Sequence, residues 1–192
     1  MIATGQSLTN PVTGETLVFR TTSADTNGER VVVEAFVEPN GAVAAAHVHP
    51  AQEELFEILD GTLEFRLGKK RRLVARPGDR VLVPAGTPHR FENIGEETAR
   101  FTCEVRPALG FEQLIETMFS LAEDGKVNRK GMPNPLRLAV IARHHFGDVR
   151  LPFPPPWVQM IGLVLGAPVG RLLGYRPTYE PKAPKAPTAL GV

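Results

Sequence analysis

The chain has 192 residues, which is enough for one substantial hydrophobic core with an appended segment. Hydrophobic residues make up 42% of it and charged residues 22%, a composition typical of globular proteins that excludes wholesale disorder. A formal net charge of +1 gives no reason to expect a nucleic-acid partner, and a single cysteine, Cys103, excludes an internal disulfide.

The N-terminal segment is mixed and polar, and it lacks the basic and apolar stretches of a signal peptide. No run of 18 apolar residues occurs in the chain, which argues against a transmembrane helix. We therefore expect a cytoplasmic protein.

Residues 1–109 are predicted to form short β-strands joined by tight turns. Residues 31–38 alternate with a period of two, and an Asn27-Gly28 pair suited to a turn precedes them. Further strand patterns occupy residues 54–59, 62–67, 73–75, 81–83, 89–92 and 99–105. Because no helical pattern lies between them, these strands favour an all-β sandwich or barrel.

The chain changes character near Pro107. Residues 1–109 carry a net charge of −3 and residues 110–192 a net charge of +4, and 11 of the 18 prolines lie in the last 83 residues. Apolar residues at helical spacing predict helices over 111–122, 136–146 and 157–165, with a separate short segment at 169–173 after Gly166 and Pro168. We therefore divide the chain into a β-domain (1–109), an α-helical extension (110–178) and a tail rich in Pro, Ala and Lys (179–192).

Two segments of the β-domain carry side chains suited to metal chemistry. His47 and His49 are two residues apart, so on a strand both imidazoles would point to the same face. Glu54 follows on the next strand, and His89 comes after a Pro-Ala-Gly turn. Three neutral imidazoles and one carboxylate are a suitable ligand set for a divalent transition-metal ion.

These two segments resemble the two conserved motifs of the cupin superfamily. The first contains Gly41, His47, His49, Glu54 and Gly61, and the second contains Gly78, Pro84, Gly86, His89 and Asn93. The resemblance covers residues 30–106 and implies a double-stranded β-helix, or jelly-roll, barrel; it does not explain residues 110–192, for which the apolar pattern predicts the α-helical extension. It also implies that His47, His49, Glu54 and His89 bind one ion of Fe, Mn, Ni, Cu, Co or Zn, and that the protein forms a homodimer.

The surroundings of this ligand set suggest the kind of molecule that would bind. Four protein ligands leave positions open on a five- or six-coordinate ion for a substrate, water or dioxygen. Residues 42–46 are small and apolar, and strand parity places Phe56, Ile58, Phe91, Phe101 and Cys103 inside the barrel. A small apolar or aromatic organic molecule is therefore the expected substrate or ligand.

We expect a metal-dependent, dioxygenase-like oxidoreductase. One alternative is a non-redox metal-dependent isomerase or decarboxylase, which needs an acid or base near the ion; Glu34 and Glu57 are the candidates by proximity in sequence. Another alternative is a small-molecule-binding cupin without turnover, because a fold and a metal do not by themselves establish chemistry.

The apolar stripes of the helical extension are expected to pack on the barrel or on a second subunit. Two alternatives stay open: a lid over the barrel mouth that excludes water, and a peripheral membrane contact through residues 157–173, which are flanked by Arg150 and Arg171. His144 and His145 are adjacent, so only one of them could face any given site, and we interpret both as surface or packing residues rather than ligands.

Overall fold

The computed structural model describes residues 2–180, so most of the predicted Pro/Ala/Lys-rich tail lies outside the described residues. Within this range the β-strands are β1 (Ser7–Asn10), β2 (Glu15–Thr21), β3 (Val31–Val37), β4 (Glu53–Asp60), β5 (Leu63–Leu67), β6 (Arg71–Ala75), β7 (Arg80–Val83), β8 (His89–Asn93) and β9 (Ala99–Arg106). The α-helices are α1 (Phe111–Glu123), α2 (Pro135–His144) and α3 (Pro156–Leu172). The predicted strands from residue 31 onward are confirmed, whereas β1 and β2 were not predicted.

The strands form two antiparallel sheets. The larger has the order β1-β2-β3-β9-β4-β7 and the smaller the order β6-β5-β8. In the larger sheet β9 lies between β3 and β4, so strands that are distant in sequence are hydrogen-bonded neighbours. This arrangement is typical of a jelly roll. The structure is therefore the predicted cupin jelly roll with helices after it.

The core of the barrel lies between the two sheets. Phe56 and Phe101 project from the larger sheet, and Phe65 and Phe91 project from the smaller one, because alternate residues of a strand share a face. The ring centroids of Phe56 and Phe65 are 5.0 Å apart and those of Phe91 and Phe101 are 5.3 Å apart, within the range of edge-to-face aromatic pairs. The prediction that Phe56, Ile58, Phe91, Phe101 and Cys103 face the interior is confirmed, since all are buried in this core.

The motif residues Gly61 and Asn93 shape the turns of the barrel. Gly61 has a φ of +80°, and a Cβ there would lie 2.7 Å from the Cα of Ala99, so only glycine fits. The Asn93 side-chain nitrogen donates hydrogen bonds to the backbone oxygens of Val37 at 2.9 Å and Glu97 at 2.8 Å. As predicted, Asn93 holds a turn.

The first helix of the extension packs directly on the barrel. Phe111 and Phe119 of α1 belong to the same buried cluster as the barrel phenylalanines, as an apolar stripe predicts. The second helix begins with Pro135, and the side chain of Asn134 caps it by accepting a hydrogen bond from the backbone nitrogen of Leu136 at 2.9 Å.

The third helix corrects the sequence prediction of a break at Gly166 and Pro168. The helix α3 is continuous from Pro156 to Leu172 and contains Pro168. The two glycines on its inner face are the reason: a Cβ on Gly166 would lie 3.2 Å from that of Ala139, and one on Gly170 would lie 2.7 Å from Val140 Cγ2. Gly166 and Gly170 therefore permit close packing on α2. This packing stabilises the helical conformation on both sides of Pro168.

The opposite face of α3 is apolar and exposed. It presents large side chains to solvent along its whole length, namely Trp157, Ile161, Val164, Leu165, Val169 and Leu172. Among residues 2–180, no helix is both long and apolar enough to cross a bilayer.

Candidate metal centre

Three segments of the chain bring the four predicted ligands together. His47 and His49 lie on an extended segment before β4, Glu54 is the second residue of β4, and His89 is the first residue of β8. His47 and His89 exchange both backbone hydrogen bonds, at 3.0 and 2.9 Å, so this isolated bridge fixes the two motifs against each other. The backbone nitrogen of Gly86 also donates to the oxygen of His49 at 2.8 Å, which ties the second turn to the first motif.

The four side chains converge on one point. One ligand atom from each of His47, His49, Glu54 and His89 lies within 4.8 Å of all the others. The Glu54 Oε2 atom is 2.7 Å from His89 Nε2, and Glu54 Oε1 is 3.6 Å from His49 Nε2. His49, Glu54 and His89 are buried, whereas His47 is half-buried. The predicted convergence is therefore present, and the cluster could hold a metal ion.

The second nitrogen of each imidazole ring already has an oxygen partner. His47 Nδ1 lies 3.0 Å from the backbone oxygen of Ala45, and His89 Nδ1 lies 3.1 Å from that of Thr87. His49 Nδ1 faces two oxygens, Gln52 Oε1 at 3.0 Å and the backbone oxygen of Asp148 at 2.8 Å. An oxygen acceptor requires the proton on Nδ1, which leaves the Nε2 lone pair of each ring for an ion.

Electrostatics keep two of the four ligands, His47 and Glu54, in their metal-binding forms. Burial, together with the neighbouring His89 and His49, lowers the pKa of His47 to about 3. Burial alone would raise the pKa of Glu54, but the adjacent His89 ring and the charges of the other histidines lower it to about 2. His47 is thus neutral and Glu54 ionised at neutral pH.

The buried Glu54 Oε2 atom indicates whether an ion fits among the four side chains. Burial tends to lower the pKa of His89, but the Glu54 carboxylate outweighs burial and raises it. Glu54 Oε2 is fully buried and makes no hydrogen bond of acceptable geometry. A cation among the four side chains would satisfy this oxygen, so the residues present fit a divalent transition ion.

The structure identifies Gln52, which the sequence analysis did not select, as a partner of the site. Its side chain is only 1% exposed. The Gln52 amide nitrogen donates to the backbone oxygens of Pro107 at 3.0 Å and Ala108 at 2.9 Å, so its oxygen is turned towards His49. Gln52 therefore connects a metal-ligand candidate to the junction between barrel and extension.

The two predicted acid–base candidates do not lie with the cluster, which corrects that interpretation. Glu34 lies on the outer face of β3, where it pairs with Arg20 and Arg100. Glu57 is half-exposed and lies 3.5 Å from Arg80 Nε. Each belongs to a surface ion pair, because strand parity points it away from the barrel interior.

The remaining polar and thiol candidates behave as interpreted. Cys103 is buried, and burial raises the pKa of its thiol well above the ordinary value, so it is not a nucleophile. His144 contacts Gln113 on the surface, and His145 is buried against Asp148.

Comparison with known proteins supports the family. A family model described as "Cupin domain" matches residues 27–105. The curated "Probable oxidoreductase yanE" of Aspergillus niger is 30% identical over 72% of this chain and 58% of its own length. The "Probable oxidoreductase virH" of Hypocrea virens is 28% identical over 70% of this chain and 65% of its own length. The chain thus spans about three fifths of the length of the curated relatives it matches.

The crystal structure of a predicted oxalate decarboxylase from Thermotoga maritima has a TM-score of 0.47 and 20% identity, over 56% of this chain and 99% of that one.

Proposed function

We propose that this chain, whose residues 27–105 match a cupin-domain family model, is a metal-dependent oxidoreductase that acts on a small organic molecule. The observation that carries the proposal is the cluster itself. Three imidazoles present free Nε2 atoms beside a buried, unsatisfied carboxylate oxygen of Glu54. Two relatives named as probable oxidoreductases support the reaction class.

His47, His49, Glu54 and His89 would hold the ion. When bound, a divalent transition ion of the Fe, Mn, Ni, Cu, Co or Zn series supplies Lewis acidity and, if redox-active, a route for electrons between substrate and dioxygen. Dioxygen is the oxidant in the dioxygenase-like reaction that we propose.

The residues around the cluster determine how a substrate would approach. His47 is half-buried whereas the other three ligands are buried, so solvent and a substrate would reach the cluster beside His47. The adjoining residues 42–46 are apolar and half-buried, and they would contact the substrate without offering a charge. An apolar or aromatic molecule fits such a wall better than a phosphorylated one.

The protein's own groups also limit the chemistry. The buried Glu54 carboxylate is ionised and held by His89, and Glu34 and Glu57 are engaged on the outer surface. An isomerase or decarboxylase would need a protein acid or base at the substrate. Since Glu34 and Glu57 both lie away from the metal-ligand cluster, an oxidoreductase is better supported than an isomerase or decarboxylase. If no reaction is found, the protein is a small-molecule-binding protein without turnover.

The direct experiment loads the purified full chain with each ion in turn and measures dioxygen uptake with a panel of phenolic and enolisable aromatic compounds. Glu54→Gln should lose uptake, because it removes the negative ligand. Glu57→Gln is the matched control: it lies on the same strand, faces solvent and should keep wild-type activity. Conversion of a compound without dioxygen uptake would contradict the oxidoreductase, and binding without conversion would contradict an enzyme.

A further inference from the structure

The helical extension reaches the metal motif by a backbone bridge. Val48, which lies between His47 and His49, donates a backbone hydrogen bond to Arg150 at 2.8 Å and accepts one from it at 3.0 Å. The segment after α2 thus forms an antiparallel β-bridge with residues 47–49, which include two of the four ligands.

The same segment supplies a hydrogen-bond acceptor to one ligand. The backbone oxygen of Asp148 lies 2.8 Å from His49 Nδ1, although the two residues are 99 positions apart. His47 and His89 instead face backbone oxygens two residues before them in the barrel. Among the three imidazoles, His49 is therefore the one whose orientation depends on the extension.

A side-chain pair between buried His145 and partly exposed Asp148 fixes this acceptor in place. His145 Nδ1 lies 3.0 Å from Asp148 Oδ2, and His145 is 1% exposed. The backbone nitrogens of Asp148 and Val149 both donate to the oxygen of His145, at 2.9 and 2.8 Å. The turn is also closely packed, because a Cβ on Gly110 would lie 2.8 Å from His145 Nδ1 and still closer to the Asp148 carboxylate.

We propose that His145 and Asp148 are positioning residues of the metal centre. Their side-chain pair holds the turn 145–148, the turn holds the Asp148 carbonyl against His49, and this carbonyl keeps the proton on Nδ1 and the Nε2 lone pair towards the ion. The inference rests on the proposed function, in that it presumes an ion at the four ligands. The extension is then a part of the site and not only a covering of the barrel.

The test uses Co²⁺ alone as the probe on the full chain, with the dissociation constant and the visible ligand-field spectrum as readouts. His145→Leu removes the donor to Asp148 and should raise the Co²⁺ dissociation constant about tenfold and alter the spectrum, as loss of an outer hydrogen bond does at metal sites. His145→Asn places an N–H near the Nδ1 position and should recover most of the affinity.

The matched control is His144→Leu, which removes the neighbouring surface histidine and should leave both readouts unchanged. Asp148→Ala provides a second route, because its carboxylate is partly exposed and its loss should be tolerated by the fold. If His145→Leu does not fold, Asp148→Ala decides: an unchanged dissociation constant and spectrum would overturn the inference.

The outcomes separate this inference from the function that it rests on. A wild-type chain that binds no Co²⁺ at the cluster would overturn the proposed function. Tight wild-type binding together with an unchanged spectrum and affinity in His145→Leu would overturn the positioning role alone, even if the variant melts at a lower temperature in the metal-free form.

Discussion

The substitution Gln52→Met tests how strongly the barrel, the extension and the metal motif depend on one buried amide. Methionine has a similar length and volume but cannot form the three hydrogen bonds of Gln52, which join His49, Pro107 and Ala108. Two of these partners keep another hydrogen bond: His49 retains the oxygen of Asp148, and the Ala108 oxygen retains the backbone nitrogen of Phe111. The third partner, the backbone oxygen of Pro107, belongs to an exposed residue, so water can replace the lost hydrogen bond there.

A buried polar group that loses its partner costs about 1–3 kcal/mol, and a group that keeps another partner costs less. Because all three partners keep or regain a hydrogen bond, we expect Gln52→Met to lower the free energy of unfolding of the metal-free protein by about 1–3 kcal/mol. This is a large part of the roughly 5–15 kcal/mol that stabilises a typical domain, so the variant should fold but unfold at a lower urea concentration.

Urea denaturation followed by circular dichroism, without and with Co²⁺, measures both effects. The Co²⁺ dissociation constant should also rise about tenfold, because His49 loses one of two acceptors. Gln113→Met is the matched control, since Gln113 is exposed, and it should change stability by no more than about 0.5 kcal/mol. A Gln52→Met protein as stable as that control would show that the hydrogen bonds of Gln52 do not stabilise the junction between the barrel and the extension.

Two further predictions concern other parts of the molecule. Burial raises the pKa of Glu15 from 4.5 to about 7, so its contribution to stability is present below pH 4.5 and is lost as the pH rises through about 7. Glu15→Gln should match the wild type at pH 4.5 and be more stable by about 3 kcal/mol above pH 8 in urea denaturation, and parallel pH profiles would contradict this. The exposed apolar face of α3 lies in residues 149–179, whose charged residues are Arg150, Arg171 and Arg176, so we expect binding to vesicles that contain phosphatidylserine. Trp157→Glu should abolish flotation with these vesicles, whereas a dimer that the same substitution dissociates would show that this face binds a second copy.

The strands and the ligands could be predicted because their signals are local. Alternation over residues 31–37 and 99–105 reports which face of each strand is buried, and the short intervals around His47 and His49 place the imidazoles together. The strand β2 was missed because its burial does not alternate strictly: Leu17, Val18 and Phe19 are buried in succession.

The rest depends on contacts between residues far apart in the chain. Gln52 is 55 positions from Pro107, and His49 is 99 positions from Asp148, so no local pattern identifies either partner. The continuity of α3 has the same origin: Gly166 and Gly170 look like helix breakers until α2 is placed against them. The predictions of a homodimer, of an aromatic ligand and of cytoplasmic location stay predictions.

The most direct test of the metal centre is anomalous X-ray diffraction from crystals of the full chain grown after metal loading. We expect one anomalous peak about 2.0–2.2 Å from Nε2 of His47, His49 and His89 and from a carboxylate oxygen of Glu54. A loaded crystal with no peak among these four side chains, or with the ion bound by other residues, would contradict the proposed metal centre.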